Sequence, residues 1–349
     1  MDSLPDGINR FLISKVITET AAAKTFELTP LDGWQPGYLS GQFVTLVFFT
    51  PYGEKRRSYS ISSSNALHET LSITVKKVDN GEFSRQLVYN TKEGDILFSS
   101  GISGLFRLPE KPETVEQYFF LAAGSGITPC FSLIKTLLAT TQSHVTLIYS
   151  NKTKADAIFY GQLKALEQAY PEQLTIRFLF SDVFNVYHSR LSHWLLQQLL
   201  QQYIRTDISK TLFYMCGPFD YMLTISITLL GHGLQPQQII KENFSTLPRL
   251  NKPKPPDTDA HAVTINIAGK TETITVQYPH SILAAAKEKN IAIPYSCEAG
   301  RCGSCIATCT KGRVWMAYNE VLLDEEVAAG RILTCQSYPV GGDVTVEVE

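Results

Sequence analysis

Residues 293–312 read IPYSCEAGRCGSCIATCTKG, and residues 331–339 read RILTCQSYP. Together the two stretches carry a C-x4-C-x2-C triplet followed, after 29 further residues, by a fourth cysteine: Cys297, Cys302, Cys305 and Cys335. Five of the seven cysteines lie in the last 53 of the 349 residues. An odd total excludes complete pairing into disulfides, and clustered thiols in a reducing compartment more often bind metal.

The spacing of the four cysteines is typical of plant-type [2Fe–2S] ligands. Gly300 and Gly303 give the loop the freedom to bring three thiolates to one place, with backbone N–H groups directed at the sulfurs. A structural zinc site is the alternative, although zinc ligands usually come as two close pairs in sequence. Cys309 is a fifth candidate ligand, but its position predicts a buried residue on a strand leaving the loop.

The stretches quoted above resemble a plant-type ferredoxin domain covering residues 261–349. One difference is Glu298, which stands where plant ferredoxins usually carry a basic residue. This segment holds 7 basic and 10 acidic residues, a net charge of -3. We therefore expect the protein that receives electrons to bind at this acidic end.

Composition limits the remaining possibilities. The net charge of -2 argues against nucleic-acid binding, and 44% hydrophobic residues exclude wholesale disorder. The first residues, MDSLPDGINRF, show no signal peptide, and the uncharged stretch 221–240 is too interrupted by Gly, Pro and Gln for a membrane span. We expect a cytoplasmic protein with no membrane span.

Upstream of the cysteines, the pattern of residues predicts two further domains and a linker. Six short runs rich in β-branched and aromatic residues predict an antiparallel β-barrel or sandwich over residues 1–108. Alternating strands and helices over residues 109–248 predict an α/β domain with a parallel sheet. Residues 251–259, NKPKPPDTD, resist helix and sheet, so we assign residues 249–260 to a Pro-rich linker.

Two motifs in the first domain indicate a flavin. Residues 57–60, RSYS, resemble the R-x-Y-S signature of the ferredoxin–NADP reductase superfamily; Arg57 suits a phosphate, Tyr59 offers an aromatic face, and Ser58 and Ser60 complete the motif. Ser60 would bond near the flavin N5. Gly81 and Ser84 form a G-x-x-S before a helix, which suits a pyrophosphate. Taken alone, the R-x-Y-S run is an ordinary strand, and the G-x-x-S alone is better explained as a turn capped by Ser84.

Three motifs in the second domain indicate a nicotinamide nucleotide. Residues 123–129, AGSGITP, follow an apolar strand and match the superfamily pattern A-G-[ST]-G-I-[AT]-P, with Gly124, Gly126 and Thr128 at the nucleotide. Residues 216–218 match the superfamily C-G-P beside the nicotinamide, which comprises Cys216, Gly217 and Pro218. Residues 241–244, KENF, resemble the segment that closes the reductase module. By that match Glu242 lies near the redox centre and Phe244 covers the flavin, although an ordinary strand end explains the segment nearly as well.

The order of the motifs resembles ferredoxin–NADP reductases with a fused ferredoxin domain, especially the reductase subunits of phenylacetyl-CoA epoxidase and related oxygenases. The resemblance implies a β-barrel for FAD, a parallel α/β domain for NAD(P) and an α+β, β-grasp-like ferredoxin domain. It implies hydride transfer from NAD(P)H to FAD, single electrons passing to [2Fe–2S], and an oxygenase or epoxidase component as acceptor. Ser60, Cys216 and Glu242 would be the catalytic residues.

Several alternatives stay open. The acceptor is an epoxidase in the first interpretation, and a ring-hydroxylating oxygenase, a fatty-acid desaturase or a hydroxylamine-reducing protein in the others. A non-enzymatic redox sensor is the alternative of a different class. The resemblance favours NADPH over NADH, with Lys152, Lys154 and Arg190 as candidate partners of a 2′-phosphate and Asp182 opposing one.

Overall fold

A computed structural model describes residues 7–182, 189–245 and 253–348. Six strands form the first domain: β1 (Asn9–Thr20), β2 (Ala23–Pro30), β3 (Phe43–Thr50), β4 (Gly53–Ser60), β5 (Ser72–Lys76) and β6 (Ile96–Ser103). They pair antiparallel in the order β4-β3-β6-β1-β2-β5. A bridge between Ile61 and Ile73 joins the end of β4 to β5, so the sheet closes into the expected barrel.

The barrel encloses the alternating apolar side chains of its strands. Phe11, Phe26 and Leu46 are almost fully buried there, as the two-residue period of the strands requires. Helix α1 (Glu82–Asn90) buries Leu87 and Val88 in the same core. This packing fixes the start of α1 beside β4 and β5.

Five parallel strands form the second domain: β7 (Gln117–Ala123), β8 (His144–Asn151), β9 (Leu174–Phe180), β10 (Thr211–Cys216) and β11 (Ile239–Glu242). Their order is β11-β10-β7-β8-β9. The described residues of this domain include four helices: α2 (Ile127–Thr140), α3 (Tyr160–Ala169), α4 (His193–Tyr203) and α5 (Phe219–Gly231). Since the strand order reverses between β7 and β10, the carboxyl ends of these two strands mark the crevice where such sheets bind ligands.

Helix α2 binds the first two domains to each other. Most of its side chains are buried, because the helix packs on the parallel sheet and also contacts the barrel. Its polar residues reach the barrel through hydrogen bonds. Ser132 donates to the carbonyl of Ser63 at 2.5 Å, and the hydroxyl of Thr136 lies 2.7 Å from that of Ser40. An ion pair between Lys135 and Glu69 adds to this contact.

The third domain mixes seven strands with two helices: β12 (His261–Ile267), β13 (Lys270–Val276), β14 (Ile306–Lys311), β15 (Val314–Met316), β16 (Arg331–Leu333), β17 (Ser337–Pro339), β18 (Val344–Val348), α6 (Ile282–Glu288) and α7 (Asp324–Ala328). The main sheet has the order β13-β12-β18-β14-β16, with α6 packed on its core. Ala268 and Gly269, both at positive φ, make the two-residue turn between β12 and β13. This is the expected β-grasp-like arrangement.

The described part of the predicted linker, residues 253–260, forms neither helix nor strand. Its end is nevertheless attached to the third domain. Pro255 is buried, and the carboxylate of Asp257 accepts a hydrogen bond of 2.6 Å from the backbone N–H of Gly341. Residues 246–252 lie outside the described residues, and the limits assigned to the three domains stay predictions.

Candidate functional site

Strand β4 places the R-x-Y-S residues along the barrel wall. Ser60 is buried, whereas Arg57, Ser58 and Tyr59 are partly buried. The guanidinium carbon of Arg57 lies 5.2 Å from the ring centre of Phe83 in α1, so the cation is held near the start of that helix. Burial raises the pKa of the Tyr59 phenol well above its ordinary value, which keeps the ring neutral.

The G-x-x-S residues shape the start of α1. Gly81 is the residue before the helix, and a Cβ on it would lie 2.4 Å from the hydroxyl oxygen of Ser84. Ser84 accepts a hydrogen bond of 3.1 Å from the backbone N–H of Val78, so its hydroxyl braces the preceding loop. A larger residue at position 81 would displace this hydroxyl. The arrangement leaves the N-terminus of a nine-residue helix beside Arg57, which favours an anionic ligand.

The two predicted nucleotide loops lie against each other at the carboxyl edge of the parallel sheet. Residues Gly124–Gly126 form a single 3-10 turn between β7 and α2, and the hydroxyl of Thr128 donates to the Ser125 carbonyl at 2.9 Å. A Cβ on Gly126 would lie 2.0 Å from the carbonyl oxygen of Cys216, at the end of β10. Gly217 is similarly confined, and Pro218 precedes α5. At the point where the strand order reverses, the loops therefore consist of backbone with little room for side chains.

Ser60, Cys216 and Glu242 come together although they lie on different strands. The hydroxyl of Ser60 donates a hydrogen bond of 2.9 Å to Oε2 of Glu242. Cys216 is the register partner of Glu242 in the pairing of β10 with β11. Burial raises the pKa of Glu242 to about 8, while the hydrogen bond from Ser60 acts in the opposite direction. Burial also raises the pKa of the Cys216 thiol, so both groups are neutral in a neutral solution.

The four predicted ligand cysteines lie close together in the third domain and form two pairs. The thiol of Cys297 interacts with that of Cys302, and the thiol of Cys305 with that of Cys335. Among residues 7–182, 189–245 and 253–348, no three His, Cys, Asp or Glu side chains are grouped as they would be around one metal ion. Four thiols in two pairs are the donor set of a [2Fe–2S] cluster, which takes two thiolates on each iron.

The loop around the thiols also fits a cluster. Gly300 and Gly303 both have positive φ, and a Cβ on Gly300 would lie 2.9 Å from the carbonyl oxygen of Tyr318. The backbone N–H of Ala299 donates to the sulfur of Cys297 at 3.3 Å, as a thiolate ligand needs. Cys309 lies on β14, which leaves the loop as expected, but its side chain is only partly buried.

One cavity of about 550 Å³ joins the flavin motifs to the cysteine loop. Its walls include many of the predicted residues: Arg57, Ser58, Tyr59, Ser60, Gly81, Ser84, Thr128, Glu242, Phe244, Cys297 and Cys302. The other predicted residues lie just behind these walls or in the adjoining loops: Gly124, Gly126, Cys216, Gly217, Pro218, Cys305 and Cys335. Phe244 is 44% exposed at the cavity.

The sequence analysis missed two cations of this cavity. Lys76 ends β5, and its Nζ lies 3.5 Å from the position of a Cβ on Gly124. A lysine at the end of an apolar strand, just before the G-x-x-S, was the available signal. Arg301 lies within the cysteine loop and also lines the cavity. Its spacing from the ligands gave no indication of this role.

Family models match all three domains. Residues 13–108 match an oxidoreductase FAD-binding domain, residues 120–226 an oxidoreductase NAD-binding domain, and residues 265–340 a 2Fe-2S iron-sulfur cluster binding domain. These matches assign FAD, a nicotinamide nucleotide and a [2Fe–2S] cluster to the chain. They agree with the cofactors that the sequence motifs predict.

Similar proteins extend over nearly the whole chain. One subunit of the 1,2-phenylacetyl-CoA epoxidase from Escherichia coli is 32% identical over 345 residues, which cover 97% of this chain and 96% of that protein. The glycine betaine monooxygenase reductase subunit of Pseudomonas aeruginosa is 30% identical, over an alignment that covers 95% of this chain and 93% of that protein. Phthalate dioxygenase reductase has the same fold, with a TM-score of 0.60, 23% identity and 98% of each chain covered.

None of the helices in the described ranges is long and apolar enough to cross a membrane. The three domain matches and the reductase relatives make the protein an NAD(P)H-dependent electron-transfer oxidoreductase. The chain belongs to the family of oxygenase reductase components that combine FAD-binding, NAD-binding and [2Fe–2S] domains.

Proposed function

We propose that this chain supplies electrons to the oxygenase component of a multicomponent epoxidase or monooxygenase such as phenylacetyl-CoA epoxidase. The cavity shared by the flavin motifs and the cysteine loop carries the proposal, because it brings both redox sites to one place. FAD, when bound, accepts an electron pair from NAD(P)H and releases single electrons to the iron–sulfur cluster. The epoxidase protein among the relatives supports this choice of acceptor.

The residues of the cavity would divide the work of holding FAD. Arg57 would pair with its phosphate, assisted by the N-terminus of α1 at Gly81 and Ser84. Tyr59 would present its neutral ring to the flavin, and Phe244 would cover the opposite side. Ser60 would hydrogen-bond near the reacting nitrogen, with its hydroxyl oriented by Glu242 at 2.9 Å.

The carboxyl edge of the parallel sheet would position the nicotinamide nucleotide. Gly124, Gly126 and Thr128 would lie under its phosphates, where missing side chains and a helix N-terminus favour an anion. Cys216, Gly217 and Pro218 would lie beside the nicotinamide. Burial raises the pKa of the Cys216 thiol, so this side chain would offer no charge beside the nicotinamide.

NADPH is the proposed donor. Lys152 and Lys154 are exposed just after β8, and Arg190 is exposed before α4. The backbone N–H of Asp182 donates to the carbonyl of Lys152 at 3.1 Å, which places an acid beside this lysine. Steady-state kinetics with both nucleotides test the assignment. A kcat/KM that is higher for NADH than for NADPH would contradict it.

The acceptor is tested by reconstitution. The purified holoprotein is mixed with NADPH, substrate and the oxygenase component of either a phenylacetyl-CoA epoxidase or a ring-hydroxylating oxygenase. We expect product formation with the first component only. Product with only the ring-hydroxylating component would assign the other acceptor class.

A non-enzymatic sensor is less well supported, since Thr128 of the nucleotide loop and Ser60 of the flavin motif line one cavity. Reduction of cytochrome c by NAD(P)H separates the two functions. Absence of turnover in protein with full flavin and iron would favour the sensor. The cytoplasm remains the proposed compartment, because it keeps four ligand thiols reduced.

A further inference from the structure

A chain of polar contacts joins the ferredoxin domain to the three residues that follow Glu242. The amide Nδ2 of Asn243 donates to Oε2 of Glu320 at 2.9 Å. On the other side, Nη1 of Arg301 lies 3.2 Å from the hydroxyl and 3.4 Å from the carbonyl oxygen of Ser245. The two contacts hold the same short segment from the cysteine-bearing domain.

Glu320 and Arg301 are themselves connected. Nε of Arg301 lies 3.4 Å from Oε2 of Glu320, and the two side chains are only 13% and 16% exposed. The backbone N–H of Glu320 donates to the carbonyl of Gly300 at 3.0 Å, within the cysteine loop. A Glu–Arg pair with this little exposure is weakly screened by solvent and salt. Removing one partner would leave a charge poorly compensated.

The position of this pair relates it to both redox sites. Arg301 directly precedes the ligand Cys302, and Asn243 directly follows Glu242, which is bonded to Ser60. Asn243, Ser245, Arg301 and Cys302 all line the shared cavity. Other contacts between the domains, such as Ser103 with Ser304 at 2.8 Å, hold the third domain against the barrel but not against this segment.

We propose that the Glu320–Arg301 ion pair, with Asn243 and Ser245, is a latch that positions the cysteine loop over the flavin site for electron transfer. These four are positioning residues, since they act through the placement of the loop that carries Cys297 and Cys302. The inference rests on the proposed reductase function. It specifies which contacts position the chain for the second step, the transfer of electrons from the flavin to the iron–sulfur cluster. Small displacements between reacting groups are costly, so loosening the latch slows that step and leaves reduction of the flavin by NAD(P)H intact.

The test follows both steps in anaerobic single-turnover experiments on holoprotein, with flavin absorbance for the first and the iron–sulfur EPR signal for the second. Glu320→Ala and Arg301→Ala should each slow cluster reduction by about tenfold or more, with flavin reduction within about twofold of the unchanged protein. The double variant should lose less than the product of the two single effects, because the Glu320–Arg301 contact is already lost in each single variant. Glu320→Asp and Arg301→Lys should restore part of the rate.

A second readout does not depend on turnover. Hydrogen–deuterium exchange should become faster in residues 241–245 and 297–304 of the Glu320→Ala holoprotein, and stay unchanged in β12 and β13. Glu325→Gln is the control, because Glu325 is an exposed acid on α7 of the same domain. It should match the unchanged protein in both rates and in exchange.

Asn243→Ala keeps the test decisive if Glu320→Ala loses iron, because it removes a contact from the reductase side and leaves the cysteine loop unaltered. It should slow cluster reduction with undiminished iron–sulfur absorbance. Cluster reduction at the unchanged rate in Asn243→Ala and Arg301→Ala would overturn the proposal. Failure of flavin reduction in the unchanged protein would instead contradict the proposed function.

Discussion

Ser60 and Glu242 are 182 positions apart in sequence, yet the serine hydroxyl donates a hydrogen bond of 2.9 Å to the glutamate carboxyl group. Ser60 ends a strand of the barrel, and Glu242 ends the edge strand of the parallel sheet. The bond is buried, and it joins the two domains where the flavin and nicotinamide motifs meet. It also involves a carboxyl group whose pKa is raised by burial.

Replacing Glu242 by Gln should reduce the pH dependence of stability. Burial raises the pKa of Glu242 from 4.5 to about 8. Between these values the unfolded chain releases the proton and the folded protein keeps it, so the wild type loses stability as pH rises from the lower value through the higher one. The full shift corresponds to on the order of 5 kcal/mol. Glu242→Gln should show a smaller drop in melting temperature between roughly pH 5 and pH 9.

The matched control for this prediction is Glu325→Gln, which removes an exposed carboxyl group and should keep the wild-type profile. Differential scanning calorimetry of the holoproteins provides the melting temperatures. Parallel pH profiles for the wild type and Glu242→Gln would show that Glu242 is ionised in the folded protein at neutral pH.

Replacing Cys302 by Ser should remove the cluster and spare the flavin. Cys302 lies beside Cys297 in the third domain, whereas the flavin motifs lie in another domain. We expect loss of the iron–sulfur absorbance and of cytochrome c reduction, with flavin content and its reduction by NAD(P)H retained. Cys309→Ser, which alters a partly buried thiol on β14, should retain its iron. Iron loss in both variants would mean that Cys309 is also needed for the cluster.

Gly126→Ala should destabilise the protein and weaken nucleotide binding. The added Cβ would lie 2.0 Å from the carbonyl oxygen of Cys216, a backbone atom that moves only with β10. Overpacking of this kind costs about 1–3 kcal/mol or more. Urea unfolding and the KM for NADPH measure the two effects.

The control for Gly126 is Gly161→Ala in α3, where nothing lies within 4 Å of the added Cβ. This substitution should be neutral or stabilise by up to about 1 kcal/mol, because alanine favours a helix over glycine. Equal losses at both positions would contradict the steric explanation.

Asp257→Asn should weaken the attachment of the linker to the third domain. Hydrogen bonds from the backbone N–H groups of Gly341 and Asp259, and from His261, lower the pKa of Asp257 to about 2. Its stabilising effect is therefore complete above the ordinary carboxyl pKa of 3.8 and is lost as pH falls towards 2. Limited proteolysis near pH 7 should cut residues 253–260 faster in Asp257→Asn. Asp259→Asn, whose side chain is exposed, should resemble the wild type.

The fold was largely predictable because local patterns decide it. The six barrel strands, the alternation around AGSGITP and the hairpin before the cysteine loop all follow from residue types within a few positions. The observed β4, for example, includes the first four residues of the RSYSIS run, although it begins before the run and ends two residues before the run does. Strand order and register depend on distant pairing, such as Cys216 with Ala122 and with Glu242, and no local pattern states it.

Motifs located most of the site but not the contacts that complete it. The R-x-Y-S, the glycine loops and the cysteines are recognisable from their spacing. Lys76, Arg301 and Glu320 cannot be recognised in this way. A single charged residue in the sequence gives no sign of whether it lies on the free surface or in a buried pair. The Asn243–Glu320 bond spans 77 positions and two domains, so only the folded chain reveals it.

Residues of all three domains form the cavity wall, which limits how freely one domain can be exchanged between related proteins. A chimera joined within the linker would import Cys302, Arg301 and Glu320 from a donor, while Asn243 and Ser245 would stay with the recipient. Each half would fold around its own core, but the facing surfaces would come from different ancestors. A functional chimera therefore needs matching residues on both sides of this contact. The two contacting surfaces have to be transferred together, rather than one domain alone.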